Sequence, residues 1–135
     1  MPTVLVAEND ALIGLNLQDE LEGMGYAVAG PFPTCADAMH WLKPNTPDVA
    51  VLDIHLRDGA CVELAMELTR LSVPFAVYSG ELEADTLPAF RDAKWIEKPA
   101  TRDILLDAVA ELLADPAQRL CGVAEPGNKT VILGV

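Results

Sequence analysis

Positive charge is scarce in this chain. Lys and Arg number 9 against 21 Asp and Glu in 135 residues, a formal net charge of −12. That balance excludes a phosphate-backbone binder, which needs clustered cations, so no nucleic-acid partner is expected. Most of the acids read as a solubilising surface. Cysteine is scarce too: Cys35, Cys61 and Cys121 are odd in number, scattered and without metal-ligand spacing. They read as buried thiols of a reducing compartment. No apolar run approaches the roughly 20 residues of a spanning helix. The N-terminus lacks a basic segment and meets Glu8 too early for a signal peptide. A cytoplasmic protein without membrane contact is the expectation. Internal repeats, low-complexity tracts and a linker to a second domain are also missing, and 135 residues suit one domain.

What is present is an alternation of short apolar runs and helical periods. Val4–Ala7 reads as a strand that runs straight into Glu8, Asn9 and Asp10. Ile13, Leu17, Leu21 and Met24 then fall at helical spacing, and Gly23 and Gly25 end that helix. Tyr26–Ala29 reads as a second strand, with "GPFP" as its breaker. Thr34 with Asp37 three residues on resembles a helix-start box. The helix behind it carries Ala36, Met39 and Leu42 and stops by Pro44. Val49–Leu52 is a third strand, apolar throughout and so expected to be buried on both faces, and it ends in Asp53. "RDGA" turns the chain, and Cys61, Leu64, Ala65, Leu68 and Leu71 mark the next helix. Phe75–Tyr78 is a fourth strand ending at Ser79-Gly80. Residues 81–90 read as a weak helix with Pro88 inside it. Trp95–Glu97 is a fifth strand ending at Lys98-Pro99. Thr101 caps a last helix carrying Ile104, Leu105, Ala108, Val109 and Leu112. Five strands alternating with five helices predict an α/β fold, a parallel sheet covered on both faces.

In such a doubly wound sheet, ligands bind beyond the carboxyl ends of the strands. The first strand brings Glu8, Asn9 and Asp10 to that edge, the third Asp53, the fourth Ser79 and the fifth Lys98. Each residue alone reads as a turn, cap or loop residue. Together they make a pocket of carboxylates, one hydroxyl and one ammonium. Crowded carboxylates suit a hard cation such as Mg²⁺. A carboxylate such as Asp53 can attack phosphorus and form an acyl phosphate. A metal and Lys98 would neutralise the phosphoryl oxygens, and the Ser79 hydroxyl would hydrogen-bond one of them.

Over residues 3–115, through "VLVAEND", "PDVAVLDIHLRDG", "VPFAVYSG" and "WIEKPAT", the chain resembles the receiver domain of two-component response regulators. The resemblance implies a flavodoxin-like receiver fold of five parallel strands in the order 2-1-3-4-5. It implies Asp53 as phosphoacceptor, with Mg²⁺ held by Glu8, Asn9, Asp53 and the backbone carbonyl of His55. Ser79 takes the place of the hydroxyl residue, Lys98 that of the phosphate-binding lysine, and Trp95 that of the aromatic switch residue. A histidine kinase or histidine phosphotransfer protein would donate the phosphoryl group. Output would run through contact with another protein, and a homodimer is open. Such a module is a signalling device rather than an enzyme in the usual sense. Residues 1–115 would form the receiver domain. Residues 116–135 would be a tail whose apolar "TVILGV" either adds an edge strand or stays unstructured.

Three positions, Asn9, Arg57 and Trp95, depart from the family's usual pattern. Asn9 replaces a second acid, keeping a carbonyl oxygen but no charge, so weaker Mg²⁺ binding is expected. Asp10 either completes the metal shell through water or, as expected, caps the following helix. Arg57 stands where proline is frequent, and Trp95 replaces Tyr or Phe, either as a switch or as plain packing. Two competing readings follow. A pseudo-receiver, an interaction module that is never phosphorylated, draws on Asn9. A flavodoxin-like flavin binder would need a hydroxyl- and Gly-rich phosphate loop after the first strand, and "ENDALIG" is acidic there instead.

Overall fold

Alternate residues of each central strand are apolar to opposite sides, and that pattern builds two cores on one sheet. The computed structural model describes residues 1–59, 62–79, 93–98 and 100–114. In chain order they form β1 (Thr3–Ala7), α1 (Ala11–Gly23), β2 (Ala27–Phe32), α2 (Cys35–Leu42), β3 (Val49–Leu52), α3 (Val62–Arg70), β4 (Phe75–Ser79), β5 (Lys94–Glu97) and α4 (Arg102–Ala114). The five strands make one parallel sheet in the order β2-β1-β3-β4-β5. This is the doubly wound topology expected, with the switch point between β1 and β3. The helix expected at 81–90 and the tail 116–135 lie outside the described residues.

One face of the sheet carries Leu5, Ala7, Ala50, Leu52, Phe75 and Val77 against α2 and α3. The other carries Val4, Val6, Val49, Val51, Ala76, Tyr78 and Ile96 against α1 and α4. β3 is buried at every position, as an all-apolar central strand should be. Among the described residues no helix is long and apolar enough to cross a membrane.

Caps set the helix starts. Asp10 accepts the N–H groups of Leu12 and Ile13 at 2.9 and 3.1 Å, so it is the cap of α1. Thr34 Oγ1 accepts Asp37 N–H at 3.1 Å, and Thr101 Oγ1 accepts Ile104 N–H at 3.3 Å. Three local expectations change. Met24 is the exposed C-cap of α1 rather than a core residue. The buried face of α2 is Cys35, Ala38 and Leu42, with Ala36 exposed. Cys35 is disulfide-bonded, not a free thiol, with its partner outside the described residues; spacing along the chain does not reveal which cysteines meet in space.

"GPFP" does not break β2, which runs on to Phe32. β2 is an edge strand, where a proline costs no ladder hydrogen bond. Two steps along β1, from Leu5 to Ala7, match three along β2, from Ala29 to Phe32. Gly30 sits at φ +105° in that bulge, and a Cβ there would lie 2.5 Å from the Val6 carbonyl oxygen. Only glycine fits. The Gly30–Pro31 peptide bond is cis, and Pro31 packs on α1 at Gly14, where a Cβ would come within 2.9 Å of two Pro31 carbons. The return to pairing lets Glu8 N–H donate to the Phe32 carbonyl at 2.9 Å. The bulge thus ends where the candidate site begins.

Candidate functional site

Backbone pairing continues one residue past the ends of β1 and β3. Asp53 N–H donates to the Ala7 carbonyl at 2.8 Å, beyond the last registered pair, Ala7 with Leu52. Glu8 and Asp53 are therefore held side by side at the carboxyl edge of the sheet. Their phase is set by the pleat. Glu8 follows Val6 by two residues, Asp53 follows Val51 by two, and Lys98 follows Ile96 by two. Val6, Val51 and Ile96 all pack in the core shared with α1 and α4. The period-two rule thus carries all three polar groups onto one side.

There they meet. Lys98 Nζ lies 2.9 Å from Glu8 Oε1, 3.0 Å from Oε2 and 3.3 Å from Asp53 Oδ2. The side chains of Glu8 and Asp53 are only 2% and 6% exposed, and that of Lys98 is 17%. Backbone groups hold the carboxylates as well. Asp10 N–H donates to Glu8 Oε2, and His55 N–H donates to Asp53 Oδ1, each at 2.9 Å. Burial pushes the Glu8 carboxyl above the ordinary carboxylate value; the Asp10 N–H and the Lys98 ammonium pull it down without cancelling that rise, and the nearby Asp53 adds to it. Burial also opposes the charge on Lys98, but the hydrogen bond to Glu8 and the neighbouring Asp53 outweigh it, holding the ammonium above its ordinary value. The cluster is an ion triad with one cation for two buried anions.

The remaining expected residues are placed less closely. Asn9 is exposed beside Glu8. His55 is exposed, and its N–H orients Asp53. Ser79 is the last residue of β4 and pairs with Glu97. Trp95 is half-buried and packs on the core shared with α2 and α3.

Two residues were not anticipated. Tyr78 lies with its ring centroid 5.2 Å from Lys98 Nζ, and its hydroxyl oxygen accepts the N–H of Ala100 at 3.3 Å. The signal was a hydroxyl-bearing tyrosine closing a run of pure hydrocarbon side chains, one residue before Ser79. Asp58 accepts the N–H groups of Cys35 and Ala36 at 2.7 and 3.1 Å, and Arg57 N–H donates to the Pro33 carbonyl at 3.1 Å. These bonds fasten the loop after Asp53 to the start of α2. The helix N–H groups, that of Cys35 foremost, hold the Asp58 carboxyl below its ordinary value.

The donor set fits a hard divalent cation at reduced charge. Glu8 and Asp53 supply two adjacent buried carboxylates, and ionised carboxylate oxygens retain acceptor sites beyond the single bonds made to Glu8 Oε1 and to each Asp53 oxygen. Asn9, next to Glu8 in the chain, and His55, two residues after Asp53, carry neutral carbonyl oxygens. Among the described residues no group of three His, Cys, Asp or Glu side chains gathers as a metal cluster.

Comparison with known proteins bears on the family and the fold. The family model of the response regulator receiver domain matches residues 4–110. The transcriptional regulatory protein PdtaR of Mycobacterium tuberculosis is 28% identical over 112 residues, covering 78% of this chain and 54% of PdtaR. The chain thus spans about half the length of that curated relative. The solution structure of SdrG from Sphingomonas melonis Fr1 is 30% identical, with a TM-score of 0.72 over 84% of this chain and 98% of SdrG. The response regulator TrrA from Thermotoga maritima, solved in complex with Mg(2+)-BeF, shares the fold at 20% identity, with a TM-score of 0.73 over 84% of this chain and 100% of TrrA. This chain belongs to the receiver-domain family of the response regulators of bacterial two-component systems.

Proposed function

We infer that the domain accepts a phosphoryl group on Asp53 from the phosphohistidine of a histidine kinase or histidine phosphotransfer protein, and signals through contact with another protein. The observation that carries this reading is the placement of Lys98 Nζ against both Glu8 and Asp53 at the ends of three different strands. An Asp53 carboxylate oxygen attacks phosphorus, the P–N bond to the donor histidine breaks, and an acyl phosphate forms. His55 N–H fixes the carboxylate from its Oδ1 side. Lys98 balances the charge of the incoming phosphoryl oxygens, and Ser79, one residue past Tyr78 on β4, offers its hydroxyl to one of them. Glu8, Asn9, Asp53 and the His55 carbonyl would hold Mg²⁺, which when bound supplies further neutralisation of phosphoryl charge. The Mg(2+)-BeF complex of TrrA supports that assignment by likeness of fold. Ser79 and Trp95 are the residues through which the phosphorylated state would be read.

Intact-mass measurement after incubation with Mg²⁺ and acetyl phosphate tests the reading. Wild type should gain the mass of one phosphoryl group and Asp53→Asn none. Labelling of Asp53→Asn would remove the assignment. A wild type that never labels would make the domain an interaction module instead.

A further inference from the structure

Tyr78 is 5% exposed, inside the core shared with α1 and α4. A leucine or valine would also give that strand position an apolar side chain. Tyrosine adds two contacts that they lack, and both concern the segment bearing Lys98. The ring stands 5.2 Å from the ammonium, within reach of the attraction between a cation and an aromatic face. The hydroxyl oxygen accepts Ala100 N–H at 3.3 Å, so the same side chain holds the backbone two residues beyond. Lys98 follows β5, an edge strand of the sheet, and carries a long chain that loses rotamer freedom when it is ordered. Two acids attract its ammonium at 2.9 and 3.3 Å, and the Tyr78 ring adds a further contact at 5.2 Å.

We propose that Tyr78 is the positioning residue of the phosphoryl site: its ring holds the Lys98 ammonium against Glu8 and Asp53, and its hydroxyl ties down the backbone at Ala100, two residues beyond. The ammonium is then in place before a phosphoryl oxygen arrives, and its ordering is completed on folding rather than during transfer. This role rests on Asp53 being the phosphoacceptor.

The test compares wild type with Tyr78→Phe and Tyr78→Leu by two readouts. The first needs no phosphorylation: brief acetic anhydride treatment of the whole chain, followed by mass spectrometry of Lys98 acetylation relative to Lys43 and Lys94. Lys98 should be protected in wild type, several-fold more reactive in Tyr78→Leu, and intermediate in Tyr78→Phe, which keeps the ring and loses the hydroxyl. The second is the rate of Asp53 labelling by acetyl phosphate. It should fall about tenfold in Tyr78→Leu, the scale of a partly desolvated cation–aromatic contact, and be largely rescued in Tyr78→Phe. Tyr78→Met replaces the leucine variant if that one does not fold. Equal Lys98 acetylation across the series overturns the proposal, whatever the labelling rates. Failure of wild type to label at all instead overturns the phosphoacceptor reading, and the acetylation series still decides what Tyr78 does to Lys98.

Discussion

The ammonium of Lys98 lies 2.9 Å from Oε1 of Glu8, a residue 90 positions away in the chain, and both side chains are largely out of water. Lys98→Met would leave Glu8 and Asp53 facing one another without a cation. We expect a loss of about 1–3 kcal/mol at neutral pH, the cost of stranding a buried charged group whose neighbours remain. The loss should shrink toward acid pH, because protonating Glu8 removes the repulsion. Urea melts of both proteins at neutral and mildly acid pH check this. A pH-independent difference would mean that Lys98 contributes packing rather than charge.

Asn9 tests the metal side of the same pocket. Asn9→Asp supplies a third anion beside Glu8 and Asp53, and Mg²⁺ binding should tighten by about 1–3 kcal/mol, the scale of a charge-assisted contact at a partly solvated site. Without Mg²⁺ the variant should melt below wild type through carboxylate crowding, and added Mg²⁺ should close the gap. Thermal melts of both proteins across a Mg²⁺ titration read both effects. Equal stabilisation by Mg²⁺ would place residue 9 outside the metal shell.

Asp58 gives the acid-side prediction. Its carboxyl is held below the ordinary aspartate value by the N–H groups of Cys35 and Ala36. A depressed folded value means stabilisation that is complete above about pH 4, the unfolded value, and lost as pH falls through the folded one. Protection of the Cys35 and Ala36 amides against hydrogen exchange should drop over that window. Asp58→Asn should lower protection at neutral pH and flatten its pH dependence. Unchanged protection in the variant would show that the loop is fastened to α2 by other contacts.

The sheet was legible because its signals are local and periodic. Apolar runs of two to four residues gave every strand to within a few positions, and polarity at the ends of the first, third and fifth gave Glu8, Asp53 and Lys98. What escaped depends on space rather than spacing. β2 passes through Gly30 and Pro31 because it is an edge strand with a bulge against Val6, and edge position is a property of the sheet. Asp58 looked like one residue of a turn, while its partners lie 22 and 23 residues away. Tyr78 looked like core because the ammonium over its ring arrives from a strand that begins 16 residues later. The Cys35 disulfide is of the same kind.

The central claim is that Asp53, held by His55 N–H and Lys98, is the phosphoacceptor. Borohydride trapping after incubation with acetyl phosphate and Mg²⁺ converts an aspartyl phosphate to a stable homoserine, which peptide mass spectrometry then locates. The account predicts the modification at Asp53 alone, absent from Asp53→Asn and strongly reduced in Lys98→Met. Modification at Glu8, Asp10 or Asp58 with Asp53 untouched, or trapping undiminished in Asp53→Asn, would contradict it.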